Sequence, residues 1–138
     1  MNKKYERYIE YIANDIKPPY IHNMRDMYGL RPDEYSLVLS KVYNQPVRVS
    51  ATDVYNTNGN EIYREYSTGF WYRYEYNDQG KRTYYEDSDG YWYKNEWDSN
   101  GNLIYTEDSN GYWAKTEYDA NGNLIYHEDS DGVIIDNR

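Results

Sequence analysis

Two columns of glycine recur every 21 residues: Gly59, Gly80, Gly101 and Gly122, then Gly69, Gly90, Gly111 and Gly132. A chain with such a period builds one supersecondary unit repeatedly, and each unit buries its faces against its neighbours. Further columns appear once the glycines are stacked. Tyr63, Tyr84, Tyr105 and Tyr126 align, as do Glu65, Glu86, Glu107 and Glu128. Trp71, Trp92 and Trp113 share a column that Ile134 completes, and Arg73, Lys94 and Lys115 follow two positions later. The pattern covers about residues 55–138.

Each unit holds two turn signals and two aromatic-rich runs. Asn-Gly and Asp-Gly supply the positive φ that tight hairpins require. The runs, such as 102–107 and 112–118, have strand length and alternate in character. Each unit therefore reads as a β-hairpin, and the array as an antiparallel meander of about seven to nine strands. Residues 47–55 are expected to supply the first strand. An odd period adds a constraint. For equivalent columns to share a face, one loop of each repeat must be even and the other odd, or a bulge must intervene. Asn-Gly is assigned a two-residue loop and Ser-Asp-Gly a three-residue loop. One face then carries Tyr105, Glu107, Trp113, Lys115 and Glu117; the other carries Ile104, Thr106, Tyr112, Ala114, Thr116 and Tyr118. Trp71, Trp92 and Trp113 are expected to be structural. Gly90 and Gly111 are expected at positive φ, ending tight turns.

Residues 1–46 read as a small helical module. Tyr5, Tyr8, Ile9, Ile12 and Ile16 fall at helical spacing over residues 3–16, and Lys17-Pro18-Pro19 stops that helix. A second short helix is expected over 21–28, ending at Gly29, and a third from Pro32 or Asp33 to Tyr43. The fold class that follows is α+β: a helical capping module over 1–46, then a Tyr/Trp-rich repeat sheet over 47–138. The helices would cover the edge of the first strand.

Charge and composition exclude several classes. Residues 1–50 hold 8 Lys/Arg against 6 Asp/Glu; residues 51–138 hold 7 against 18, so the repeat array carries −11 of a net −9. An acidic array repels nucleic acid, because phosphate contacts need Lys and Arg. With no Cys and only His22 and His127, disulfides, thiolate zinc sites and all-His metal sites are excluded. Phosphate loops, nucleophile elbows and His-Glu-x-x-His are absent, so no enzyme, cofactor or metal is expected. The Asp-rich turns lack the sixth-position Gly and twelfth-position Glu of an EF-hand loop. No apolar run reaches the roughly 20 residues of a membrane span, and no signal-peptide core opens the chain. A cytoplasmic protein is expected.

The segment Glu117-Tyr118-Asp119-Ala120-Asn121-Gly122-Asn123-Leu124-Ile125 resembles the Tyr-Asp core of YD, or RHS-type, repeats, which run Tyr-x-Tyr-Asp-x-x-Gly-Arg-Leu. Tyr76-Asn77 and Trp97-Asp98 are looser copies, and Asn60, Lys81, Asn102 and Asn123 stand where the family has Arg. The resemblance implies hairpin architecture with a structural or binding role. Long family arrays wind into a shell around a toxin, and four units cannot enclose a cargo.

The expected function is non-enzymatic protein binding, of the kind an inhibitor carried by a phage or mobile element exerts on a host defence protein, in the manner of an anti-CRISPR. An acidic surface rich in Tyr and Trp suits a basic, nucleic-acid-binding surface on that partner, as a nucleic-acid mimic. Candidate partner-binding residues are Tyr72, Tyr74, Tyr91, Tyr93, Trp97, Tyr112, Tyr118, Glu86, Glu107 and Glu128. Three alternatives stay open: a carbohydrate-binding repeat that stacks sugars on its aromatics, a structural homodimer or oligomer joined through the last strand at Val133-Ile134-Ile135, and a DNA-binding regulator that uses the N-terminal helices.

Overall fold

The computed structural model describes residues 18–27 and 29–138. The helix expected over 3–16 lies outside the described residues. Contacts divide the chain into two compact units, the first running to Trp71 and the second spanning Tyr72–Arg138. Ten strands follow one another in a meander: β1 (Arg48–Ser50), β2 (Asp53–Tyr55), β3 (Glu61–Glu65), β4 (Trp71–Tyr76), β5 (Arg82–Asp87), β6 (Trp92–Trp97), β7 (Leu103–Asp108), β8 (Trp113–Tyr118), β9 (Leu124–Asp129) and β10 (Ile134–Asp136). One helix of several turns precedes them, α1 (Pro32–Val42).

This architecture overturns the expected α+β class with a helical module and seven to nine strands. The protein is mainly a ten-stranded antiparallel sheet. Two local causes account for the difference. Ala51 sits at φ 54°, and Ser50 faces Asp53, so the segment expected as one strand folds back into β1 and β2. Neither Gly nor Pro announces that turn. The helix expected over 21–28 forms one helical turn, Tyr20–His22, and then a π-helical stretch, Asn23–Met27. Among the described residues no helix is long and apolar enough to cross a membrane.

The first unit has an ordinary core. Ile21, Met24, Leu30, Tyr35, Val38, Leu39, Val54, Ile62 and Tyr63 are buried. Helix α1 starts at Pro32, whose fixed φ suits the first helical position. The Glu34 carboxylate accepts the Arg31 N–H at 2.9 Å, closing the N-terminus. The helix also protects an edge. Ser36 Oγ accepts the Val49 N–H at 3.0 Å, and Ser40 Oγ accepts the Val47 N–H at 3.1 Å. These hydroxyls engage the Val49 N–H of β1 and the Val47 N–H just before it, donors that would otherwise template another strand.

The second unit is built differently. Every regular element in it is a strand, and only Ala114 and Asp129 are buried. It is one layer of sheet, held by its ladder and by cross-strand side-chain pairs worth roughly 0.2–1 kcal/mol each.

Both loops of each repeat have three residues, which corrects the two-residue loop assigned to Asn-Gly. Asn77 N–H bonds Lys81 O at 2.9 Å while Gly80 N–H bonds Asn77 O at 3.0 Å; Asp87 with Tyr91 and Gly90 repeats the arrangement at 3.0 and 3.1 Å. Each is a tight turn closed by a glycine in the left-handed region, Gly80 at φ 77° and Gly90 at φ 89°. Two loops of equal length would place residue i beside residue i+20 two strands on, and the 21-residue columns would alternate faces. A bulge restores parity. It recurs at Val54/Tyr55, Glu75/Tyr76, Glu96/Trp97 and Glu117/Tyr118, every 21 residues. With it, Arg73 faces Glu86 and Glu86 faces Trp92, a step of 19, so equivalent columns share a face.

Candidate binding face

The loops fix where the side chains stand. Seven of the eight glycine-closed loops open on Asn or Asp: Asn56, Asn77, Asp87, Asp98, Asp108, Asp119 and Asp129. In each, the side-chain Oδ1 accepts the N–H groups two and four residues on; for Asp98 the donors are Asn100 and Asn102, both at 2.9 Å. The Asp of the Tyr-Asp pair is thus a turn cap. These backbone donors hold the Asp98 and Asp119 carboxyls below the usual range, outweighing the slight burial that opposes them. Serines tie successive hairpins. Ser109 Oγ accepts the Trp92 N–H at 3.1 Å and Ser130 Oγ accepts that of Trp113 at 3.0 Å.

Strand alternation then sorts the second unit into two faces. On one, Glu86 stands opposite Arg73 and Trp92, Glu107 opposite Lys94 and Trp113, and Glu128 opposite Lys115 and Ile134. Tyr84, Tyr105 and Tyr126 donate their hydroxyls to Glu86, Glu107 and Glu128 at 2.9, 3.3 and 2.8 Å. Arg73 Nε donates to Glu86 Oε1 at 3.0 Å, and with the Tyr84 hydroxyl it lowers the Glu86 carboxyl against the burial that raises it. The Lys94 and Lys115 ammonium groups lie 5.3 and 5.7 Å from the Trp92 and Trp113 ring centroids. Glu75, Glu96 and Glu117 stand opposite Tyr84, Tyr105 and Tyr126 on the same face, so Arg73, Lys94 and Lys115 offset half of its six Glu. Trp92 and Trp113 are half-buried in it. Trp71, the last residue of the first unit, lies 6.3 Å from the Tyr63 ring.

The other face is tyrosine. Tyr72 stands opposite Asp87, Tyr74 opposite Tyr85, Tyr85 opposite Tyr93, and Tyr93 opposite Asp108. Tyr85 is the hub. Its ring stacks on Tyr93 at 5.3 Å and 10°, and it lies 6.1 Å from Tyr72, 5.3 Å from Tyr74 and 6.0 Å from Tyr91. The Arg82 guanidinium sits 4.1 Å from the Tyr74 centroid. Tyr85 O–H donates to Asp87 Oδ2 at 2.8 Å, and burial among the rings, followed by that bond, raises its hydroxyl well above the usual range. Burial and neighbouring Asp charge raise Tyr91 and Tyr112 too, so these hydroxyls remain protonated donors at neutral pH. Tyr91 and Tyr112 are each 36% exposed.

The expected site residues are therefore divided. Tyr72, Tyr74, Tyr91, Tyr93 and Tyr112 gather on the tyrosine face, whereas Glu86, Glu107 and Glu128 belong to the opposite one. Trp97 and Tyr118 stand at the bulges; Trp97 Nε1 donates to Arg82 O at 2.7 Å. The sequence reading missed Tyr85. Its column runs Arg64, Tyr85, Thr106, His127 and therefore shows no constancy. The reading also missed the carboxylates beside the rings, Asp87, Asp108 and Asp129, which turn chemistry alone explained.

In the first unit a buried polar cluster surrounds Glu65. Its carboxylate accepts the Ile21 N–H at 2.9 Å, the His22 N–H at 2.7 Å and the Tyr63 hydroxyl at 2.6 Å, and it contacts His22 Nδ1. Burial, with the Glu65 charge beside it, drives the Tyr63 hydroxyl far above its usual range. A carboxylate so fully engaged anchors the Tyr20–His22 turn on β3 and leaves little for a substrate.

Among the described residues, no three His, Asp or Glu side chains are placed to hold a metal ion. No protein-family model matches the chain, and no curated protein matches it.

Proposed function

We propose that the chain is a non-enzymatic binding module that presents the tyrosine face of its second unit to a basic protein partner. The observation that carries this reading is the ring cluster centred on Tyr85, assembled on one face of a sheet on which the described residues of its unit lay no second layer. Laterally stacked tyrosines are rigid and amphipathic, and they lose little side-chain entropy when they bind. A run of apolar rings along one sheet face is the kind of surface that marks a contact site. The acidic balance of this unit, 6 Lys/Arg against 15 Asp/Glu over residues 72–138, favours a basic partner.

The test compares three baits in affinity capture at moderate salt: wild type, Tyr85→Ser/Tyr93→Ser on the tyrosine face, and Glu107→Gln/Glu128→Gln on the other. The expected result is a protein held by wild type and by the Glu variant and lost by the Tyr variant. A protein held equally by all three, or none held by any, ends this reading.

A second reading rests on the C-terminal strand. Ile134 is 65% and Ile135 43% exposed, and among the described residues β10 pairs with β9 alone. Self-association there would extend the sheet and cover both side chains. Light scattering on wild type and Ile134→Lys distinguishes it: a mass that falls to the monomer in the variant supports it, and a wild-type monomer at high concentration removes it.

A further inference from the structure

We propose that the face carrying the Glu columns takes an arginine side chain of a protein partner, held between the Tyr105 ring and the Glu96 carboxylate. The site lies opposite the tyrosine cluster and does not depend on the binding role argued for that cluster.

The chain fills two equivalent positions with guanidinium groups of its own. Tyr84 stands opposite Glu75, and the Arg73 guanidinium lies 5.0 Å from the Tyr84 centroid with Nη1 3.7 Å from Glu75 Oε1. Tyr126 stands opposite Glu117, and the Arg138 guanidinium lies 4.1 Å from the Tyr126 centroid with Nη1 3.9 Å from Glu117 Oε2. The two arginines come from different places, Arg73 from β4 and Arg138 from beyond β10. Their further carboxylates differ too, Glu86 for Arg73 and Asp136 for Arg138. What the two positions share is the ring and the Glu that faces it across the strands. A guanidinium is planar, so it can lie on an aromatic face while its edge meets a carboxylate.

Tyr105 has the same ring and the same carboxylate, since Glu96 stands opposite it. Its hydroxyl is tied to Glu107 as that of Tyr84 is tied to Glu86. The sequence explains why no guanidinium of its own serves it: residues 83–137 contain no Arg. Lys94 stands opposite Glu107 as Arg73 stands opposite Glu86, but its ammonium lies 5.3 Å from the Trp92 centroid. A compact ammonium makes a point contact, and tryptophan is the ring that attracts it most. Among the described residues no cation lies over Tyr105, and Glu96 enters no ion pair. A groove of about 450 Å³ is lined by Glu96, Tyr105, Lys115 and Glu117. Lys115 does not exclude a second cation. It stands opposite Tyr105 as Lys94 stands opposite Tyr84, where Arg73 is accommodated, and its ammonium lies 5.7 Å from the Trp113 centroid.

The probes are acetyl-arginine methylamide, acetyl-lysine methylamide and free arginine, titrated into the isotopically labelled full chain at low salt with backbone amide shifts as the readout. The blocked arginine is expected to move the Glu96 and Tyr105 amides along one saturable curve, and to bind at least about fivefold more tightly than the blocked lysine. Free arginine, whose own carboxylate meets an acidic face, is expected to bind more weakly than the blocked form. Lys94→Arg keeps the net charge and supplies the guanidinium that Arg73 supplies one repeat earlier, so affinity for the blocked arginine is expected to fall at least about fivefold. Glu96→Gln is expected to weaken binding and to remove the preference for arginine over lysine. Circular dichroism melts are the folding control for both variants. Equal affinity for the two blocked probes, or undiminished affinity in Lys94→Arg, overturns the proposal, because charge alone would then account for binding. No shift at Glu96 and Tyr105 overturns it as well. Tighter binding of free arginine would make the ligand the amino acid, and Tyr105 signals that move with protein concentration alone would make it an arginine of a second copy; either result overturns the partner assignment.

Discussion

Glu65 and Glu107 occupy the same column of the repeat, and their surroundings assign them different work. Glu65 is buried and accepts two backbone N–H groups and the Tyr63 hydroxyl, whereas Glu107 is half-exposed beside Lys94 and Trp113. Glu65→Ala leaves those donors buried without a partner, at a cost of about 3–5 kcal/mol. Glu107→Ala removes an interaction that solvent already screens, worth under about 1 kcal/mol. Urea titration of the two variants checks the contrast, and equal midpoints would refute it. Trp113 belongs to this scale as well. Were it fully buried, truncation to Ala would cost about 3–5 kcal/mol. It is half-buried under the Lys115 ammonium, so Trp113→Ala is expected to cost about 1–2 kcal/mol. A melting temperature unchanged from wild type would mean that the ring contributes nothing to the sheet.

At the scale of the hairpin, the period and its odd parity are legible in the sequence, and they require a bulge or unequal loops. The choice between these was not legible. Asn-Gly favours a two-residue turn, but Asn77, Asp98 and Asp119 two or three positions earlier cap a longer one, and that cap settles the matter. The turn at Ala51 carried no signal, since its residue has no preference for positive φ. The tyrosine hub was hidden for a different reason: constancy marks what every repeat needs for folding, while Tyr85 departs from its column. The caps also carry a prediction. Backbone donors lower the Asp98 and Asp119 carboxyls in the folded state. A depressed folded value means the stabilisation is fully present above the unfolded value, about 4, and is lost as pH falls through the folded one. Asn cannot titrate but accepts the same bonds, as Asn77 does. Asp98→Asn/Asp119→Asn should therefore melt within about 2 °C of wild type at pH 7. It should lose less than wild type between pH 5 and pH 3. Parallel acid curves from circular dichroism melts would contradict the capping account.

At the scale of the whole molecule, charge is segregated by unit. Residues 1–71 hold nine Lys/Arg and nine Asp/Glu, so the entire net charge of −9 resides in residues 72–138. The first unit has a dry core to set against its chain entropy, and the second has a hydrogen-bond ladder, stacked rings and few buried atoms. Mutual repulsion among carboxylates therefore weighs more heavily on the second. At low ionic strength that repulsion acts over about 30 Å, and near 0.15 M salt over about 8 Å. Screening also weakens the attractions, such as Arg73 with Glu86, but those partners are 3.0 Å apart and the like charges are spread along the sheet. Contacts that close are screened least, so added salt removes more repulsion than attraction. The second unit is expected to gain thermal stability between about 0.01 and 0.2 M sodium chloride. Three of the four tryptophans, Trp92, Trp97 and Trp113, report on it by fluorescence. A transition that moves down as salt is added would show that the ion pairs, and not the net charge, govern the sheet.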